Sequence, residues 1–392
     1  MKILVLGAGM YVTGRNGAGV GTILSSLAES SKSIQIDEVL IAARKPENDD
    51  LVENAANRIN GLLGTSLKVS FKTISGNDSA EDFRFLCASD DFDCVILCVP
   101  DHLHFRYAEQ AVLNGLHTLL VKPFVPTRAE ADRLVTLAKE KAVHCVVEFH
   151  KRFDESNLYA KKVVTEGSLG KLQYISVAYS QKISIPTETF EAWSNQTNIF
   201  QYLGVHYVDL IYFLSGYLPV RAMAVGTMGA LSASGIETFD SVHAQIVWHR
   251  PENDKDWFVS QLNTNWIDPV STSAMSDQTF TIVGTSGRID CDQKNRGIEL
   301  VTEKTGVQAV NPYFSEYLPG PDGALAFGGY GHKSINLFLA DVESLQAGDL
   351  TPDDLVDCRP SFLQSRVSTA VIEAVNMSLT SDFGWVEIDA FS

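Results

Sequence analysis

Residues 2–29 read KILVLGAGMYVTGRNGAGVGTILSSLAE. An apolar β-type run at 2–6 meets six glycines, and a helical stretch opens at Thr22. Strand, Gly-x-Gly and helix in that order predict the pyrophosphate turn of a dinucleotide-binding fold. The third glycine of that turn is due at position 12, where the chain has Val12. A P-loop would need Lys-Ser/Thr after its last glycine, and none of these glycines is followed by that pair. A ribose-contacting residue belongs about 20 positions beyond the third glycine, at the end of the second strand. Counting from Gly14 reaches Ile34, before that strand begins; counting from Gly21 reaches Ile41, near its end at Ala43. Gly7, Gly9 and Gly21 are therefore read as the turn. The segment from Met10 to Val20 becomes an insertion expected to lie over the cofactor phosphates, with Arg15 as its cation.

At the end of the second strand an acid would bind the ribose hydroxyls of NAD, and the chain has Ala43-Arg44-Lys45 instead. Two cations with no carboxylate suit a 2′-phosphate, so NADP is the expected cofactor, with NAD the alternative.

The remaining composition fits a soluble globular protein. The 392 residues are 45% apolar and 20% charged, long enough for two domains. The opening run reads as a first strand rather than a signal peptide, no run reaches membrane-helix length, and a cytoplasmic location is expected. A net charge of −17 argues against nucleic acid and anionic membrane as partners. The six cysteines form no CxxC pair and no zinc-spaced cluster, so reduced thiols and no metal site are expected.

Apolar strands alternate with helical stretches up to about residue 150, at 2–6, 38–43, 68–74, 94–99, 118–121 and 144–149, which predicts a parallel sheet. Beyond that the strands lengthen and alternate, at 172–181, 221–228, 241–248, 256–264 and 278–291, with a hairpin signal at Thr285-Ser286-Gly287. The expected architecture is an N-terminal Rossmann domain (1–149) and a C-terminal α+β domain (150–392) carrying a large open, mostly antiparallel sheet, used for substrate binding and oligomerisation.

The run CVILCVPDHLHFRYAEQAVLNGLHTLLVKPFVPT (94–127) resembles the glucose–fructose oxidoreductase/inositol dehydrogenase/rhizopine catabolism (Gfo/Idh/MocA) family. That family has a strand ending in Pro-Asn, a nearby His, A…AL…GKHVL and Glu-Lys-Pro; here stand Pro100-Asp101, His104, Ala108, Ala111-Val112, Gly115, His117 and Lys122-Pro123. FHKRFD (149–154), EGSLGK (166–171) and GVHYVDL (204–210) follow in the family's order and spacing. The resemblance implies an NAD(P)-dependent oxidoreductase acting on a sugar, cyclitol or sugar derivative, and a homo-oligomer, dimer or tetramer. It implies that Met10, Val99, Pro100, His104 and Lys122 border the cofactor.

Oxidising a secondary alcohol requires a base in reach of the hydroxyl and a cation beside the developing alkoxide. Lys122, at the carboxyl end of a parallel strand, is the expected polarising cation. His206 is the expected proton carrier: in a helix over 201–215, Tyr202, His206 and Asp209 lie about 100° from the core stripe of Leu203, Tyr207, Leu210 and Leu214. His150, Arg152, Tyr202, Asp209 and Trp193 are the substrate-side candidates, followed by Trp266, Tyr330 and His332. Two departures from the family stand out, Val121 where it has Glu and Tyr202 where it commonly has Asp. Two rivals remain open: a non-catalytic dinucleotide sensor, and a family enzyme that uses bound NAD(P) transiently in elimination or glycoside cleavage.

Overall fold

The computed structural model describes residues 1–14, 20–74, 79–89 and 92–391, which divide into two compact units. The first unit comprises Met1–Val125, Ala129–Asp154 and Tyr313–Arg366; the second comprises Pro126–Arg128, Glu155–Pro312 and Val367–Ser392.

In the first unit the strands β1 (Lys2–Leu6), β2 (Glu38–Ala43), β3 (Val69–Thr73), β4 (Cys94–Leu97), β5 (His117–Val121) and β6 (Cys145–Glu148) form one sheet in the order β3-β2-β1-β4-β5-β6, every pair parallel. Their central residues (Ile3, Leu4, Val5, Ile96 and Leu120 among them) are solvent-excluded, as expected of strands covered on both faces. The helices between them are α1 (Met10–Thr13), α2 (Thr22–Ser30), α3 (Asn48–Leu63), α4 (Ser79–Ser89), α5 (His104–Leu113) and α6 (Arg128–Glu140).

The second unit contains α7 (Glu155–Thr165), β7 (Leu172–Lys182), α8 (Val205–Ser215), β8 (Leu218–Thr227), β9 (Ser241–Arg250), β10 (Asn253–Asp268), β11 (Ser276–Gly284) and β12 (Arg288–Asp292), then a separate hairpin of β13 (Ile298–Thr302) and β14 (Gly306–Val310). With β17 (Val386–Glu387) the sheet order is β12-β11-β7-β10-β9-β8-β17, antiparallel except for β10 against β7. Side-chain alternation gives it one apolar face. Ile175, Val177, Leu262 and Phe280 pack with Tyr207, Leu210 and Leu214 of α8. Ser176, Gln245, Gln261 and Asn263 alternate with these on the strands and are less buried or exposed. The hairpin foreseen at 285–287 closes with Gly284 N–H donating to Gly287 O at 2.8 Å.

A cut at 149/150 falls close to the first crossing after Asp154, but residues 313–366 return to the Rossmann unit. They form β15 (Glu316–Pro319), β16 (Leu325–Gly328), α9 (Tyr330–Ala347), α10 (Pro352–Leu355) and the start of α11 (Phe362–Thr380). The physical reason is a second apolar stripe. Ile335, Phe338, Leu339 and Val342, spaced as one helical face, enter the core formed by Val5, Ile23 and Leu27. The glycine-rich run FGGYGHKS (327–334) ends β16 and opens α9. The return also covers the sheet edge: Val147 N–H donates to Pro360 O at 2.8 Å, removing the open row an edge strand would present.

Candidate active site

Gly7 turns at φ +108, and a Cβ there would stand 2.1 Å from the carbonyl oxygen of Cys98. Only glycine lets β1 pass that close to the end of β4. Gly9 is extended (φ −76, ψ −176), and among the described residues no atom beyond its chain neighbours lies within 4 Å of where its Cβ would be, which leaves room for a ligand against the backbone. One helical turn, α1, follows at once and buries Val12. The insertion therefore interrupts the helix after its first turn rather than preceding it. Gly21, at φ +69, starts α2, and its Cβ would stand 2.6 Å from the carbonyl carbon of Thr13. Its close neighbour is thus α1, so it serves as the tight-packing glycine of a broken helix. Arg15, the cation expected over the phosphates, lies outside the described residues. Arg44 and Lys45 follow β2 directly and are exposed.

At the carboxyl ends of β4, β5 and β6 the polar residues converge. Lys122 directly follows β5 and is half-buried, and the Lys122–Pro123 peptide is cis. Burial pushes the Lys122 amine down to about 7, against the opposing pull of Asp101, Glu148 and Cys98. The distance-dependent attraction of two carboxylates thus stops short of restoring an ordinary lysine. Glu148, 2% exposed, accepts from His150 Nδ1 at 3.0 Å. The His150 ring stacks 5.6 Å from Tyr330 and lies 4.9 Å from Phe314, both from the returned segment. Tyr11, from α1, is enclosed beside Glu148 and Cys98, and burial holds its phenol well above the usual tyrosine range.

His104, expected beside the cofactor, stands between two backbone turns. It is fully buried, with Nδ1 2.7 Å from Pro123 O and Nε2 2.9 Å from Val99 O. Its ring bridges the turn of Val99 and Pro100 and the turn after Lys122, so it helps fix both. Arg152 is likewise buried and donates to Gln364 Oε1 at 2.7 Å. Met10 is half-buried in α1.

In the second unit, Trp193 and Tyr202 come together, ring centroids 5.9 Å apart, with Phe190 5.1 Å and Trp266 5.6 Å from Tyr202. Trp193 and Tyr202 keep partial exposure, whereas Trp266 is fully buried and donates to Gln181. Such faces suit stacking on sugar rings. His206 and Asp209 lie on α8, both nearly buried, with the His206 ring 6.2 Å from Tyr179. A π-helical turn, Phe200–Gly204, replaces the start of the regular helix expected from residue 201. A Cβ at Gly204 would stand 2.7 Å from the ring of fully buried Phe200. Gly204→Ala is expected to cost about 1–3 kcal/mol of stability, read by denaturant unfolding.

Sequence reasoning passed over Tyr11, Glu148, Phe314 and the role of Asp101. Glu148 carried a usable signal, a lone carboxylate closing a buried apolar strand, where charge is costly without a task. Phe314 gave none, because only the returning chain brings it to His150, together with Tyr330, one of the substrate-side candidates.

The sheet order, the glycine turn after β1 and the ligand-facing strand ends define a dinucleotide-binding Rossmann unit joined to a mixed-sheet unit. Residues 65–149 match the oxidoreductase family with NAD-binding Rossmann fold, and residues 157–290 match the GFO/IDH/MocA C-terminal domain. The chain belongs to the Gfo/Idh/MocA oxidoreductase family. It is 35% identical over 126 residues to the uncharacterized oxidoreductase YhhX of Escherichia coli, covering 32% of this chain and 36% of that one. It is 28% identical over 155 residues to the scyllo-inositol 2-dehydrogenase (NADP(+)) IolW of Bacillus subtilis, covering 39% and 42%. The chain thus spans less than half the length of these relatives. The fold matches scyllo-inositol dehydrogenase from Lactobacillus casei with bound NAD(H) and scyllo-inositol (TM-score 0.65, 16% identity, 100% of this chain and 98% of that one). It also matches a probable dehydrogenase from Thermotoga maritima (TM-score 0.67, 16% identity, 100% of both). No helix among the described residues is long and apolar enough to cross a membrane.

Proposed function

We propose that this chain is an NADP(H)-preferring oxidoreductase that moves a hydride between the nicotinamide and a hydroxyl or carbonyl carbon of a sugar, cyclitol or sugar derivative. The observation that carries the reading is the convergence of Lys122 with Asp101 and Glu148 at the carboxyl ends of the parallel strands, where burial lowers the amine to about 7. The residues present suit the cofactor: Gly7 allows the tight turn after β1, Gly9 leaves its backbone open to a pyrophosphate, and Arg44 and Lys45 offer two cations to a 2′-phosphate. When bound, it supplies hydride acceptance and donation. Lys122 binds the reacting oxygen and, with its amine near neutrality, also exchanges its proton, beside the sequence assignment of Lys122 as the polarising cation and His206 as the proton carrier. Trp193 and Tyr202 offer aromatic faces to a ring. Relatives named as a scyllo-inositol dehydrogenase and as a levoglucosan dehydrogenase support the substrate class.

A second reading has one observation in its favour: another relative is named 2,7-anhydro-N-acetylneuraminate hydratase. The deciding experiment screens inositols, anhydrosugars and sugar nucleotides with NAD and NADP in parallel, following absorbance of reduced nicotinamide. Net reduction with NADP supports the proposal. Substrate conversion with co-purified cofactor and no net absorbance change supports transient redox, and binding of cofactor with no conversion at all supports the sensor. Replacing Arg44 and Lys45 together by Ala is expected to raise the NADP KM about tenfold or more with little change for NAD, since each lost charge-assisted contact is worth about 1.5–3 kcal/mol. A native preference for NAD would overturn this cofactor assignment.

A further inference from the structure

β5 and β6 run parallel, and their last register pair is Val121 with Glu148. Lys122 follows Val121 directly, so the residue on the neighbouring strand beside the base of the lysine is a carboxylate. That carboxylate is 2% exposed and closes a strand whose other residues, Cys145, Val146 and Val147, are buried and uncharged. A charge so placed gives the fold little, because buried ion pairs are at best weakly stabilising relative to apolar packing. It does, however, receive His150 Nδ1 at 3.0 Å, and His150 is held in turn against Phe314 and Tyr330. The strand itself is fixed on both sides, by β5 and by the Pro360–Ser361 backbone.

We propose that Glu148 is a positioning residue that sets the charge state of Lys122 and the orientation of His150, supplying from β6 the carboxylate that position 121 lacks. This rests on the oxidoreductase reading above. The groups facing Lys122 are Cys98 at the end of β4, Asp101 in the next turn and Glu148 on β6, with Tyr11 and His150 beside Glu148. A carboxylate favours the charged amine, so its removal lowers the pH at which Lys122 loses its proton.

The test uses the cofactor-free protein first. Lys122 is acylated with acetic anhydride across a pH series and the modified peptide is quantified by mass spectrometry. In Glu148→Gln the midpoint is expected to fall by on the order of one pH unit, about tenfold more neutral amine at a given pH. In the double variant Val121→Glu with Glu148→Gln, which returns the charge to the register neighbour, the midpoint is expected to recover. With cofactor and the substrate found by screening, Glu148→Gln should lower kcat about tenfold or more, leave the cofactor KM unchanged and move the pH profile in the same direction. Glu148→Asp, which keeps the charge, serves if the Gln variant does not fold and should hold the native midpoint. An unchanged midpoint in Glu148→Gln, or a shifted one in Glu148→Asp or the double variant, overturns the proposal. Failure of every sugar to react overturns the oxidoreductase reading, while the acylation result still reports on Glu148.

Discussion

Lys122→Ala is expected to lower kcat about a thousandfold with the substrate identified by screening, and kcat/KM by a similar factor. The size follows from losing both the group that exchanges the proton and the charge beside the reacting oxygen, each worth roughly two to four orders of magnitude in well-placed sites. An equal fall in both parameters marks an interaction made in the transition state, whereas a change in KM alone would assign Lys122 to substrate binding. Wild-type turnover in this variant would remove Lys122 from the mechanism. The pH dependence has a definite sign. An ordinary lysine stays charged to about pH 10, and burial lowers this one to about 7. Above that value the amine is mostly neutral and accepts the hydroxyl proton; below it the amine is charged and donates to a carbonyl oxygen. For oxidation, kcat/KM should rise with pH and level off above about 7. For reduction it should fall above the same value.

Gly7→Ala is expected to reduce stability by about 3 kcal/mol or more, measured by denaturant unfolding. Two costs combine: the backbone sits at φ +108, and the new Cβ would stand 2.1 Å from the Cys98 carbonyl oxygen, backbone that cannot rotate away. β1 and β4 would have to separate at the centre of the sheet. Gly9→Ala is the control. Its backbone is extended and the space around it is open, so the folding transition should hardly move, while NADP affinity should fall because the methyl occupies the pyrophosphate's approach. If both variants lose stability equally, or Gly9→Ala leaves cofactor affinity intact, the division of labour between these glycines is wrong.

Much of this was legible along the chain. The inner strands β1, β2, β4 and β5 announced themselves as short apolar runs, because burial on both faces leaves little room for alternation, whereas edge strand β3, VSFKT, alternates and is only partly buried. Lys122, at the end of such a run, was placed by strand direction alone. For His104 the motif gives the residue's position without its partners, and here its ring nitrogens lie against the backbone carbonyls of Val99 and Pro123. Residues 313–366 were assigned to the wrong unit because an amphipathic helix specifies that it will be buried, never by what.

The sequence by itself determined the local periodicities, the Gly7 and Gly9 turn with its displaced partner Gly21, the cation pair at 44–45 and a lysine at the end of an apolar strand, since these depend on neighbours within a few residues. Only the tertiary structure decided that Glu148 stands in register with Val121, that Tyr11 closes on the same carboxylate and that Phe314 and Tyr330 return to hold His150. Those contacts join residues from distant parts of the chain. They are fixed by strand order and by which apolar faces find one another, and no spacing along the chain encodes them.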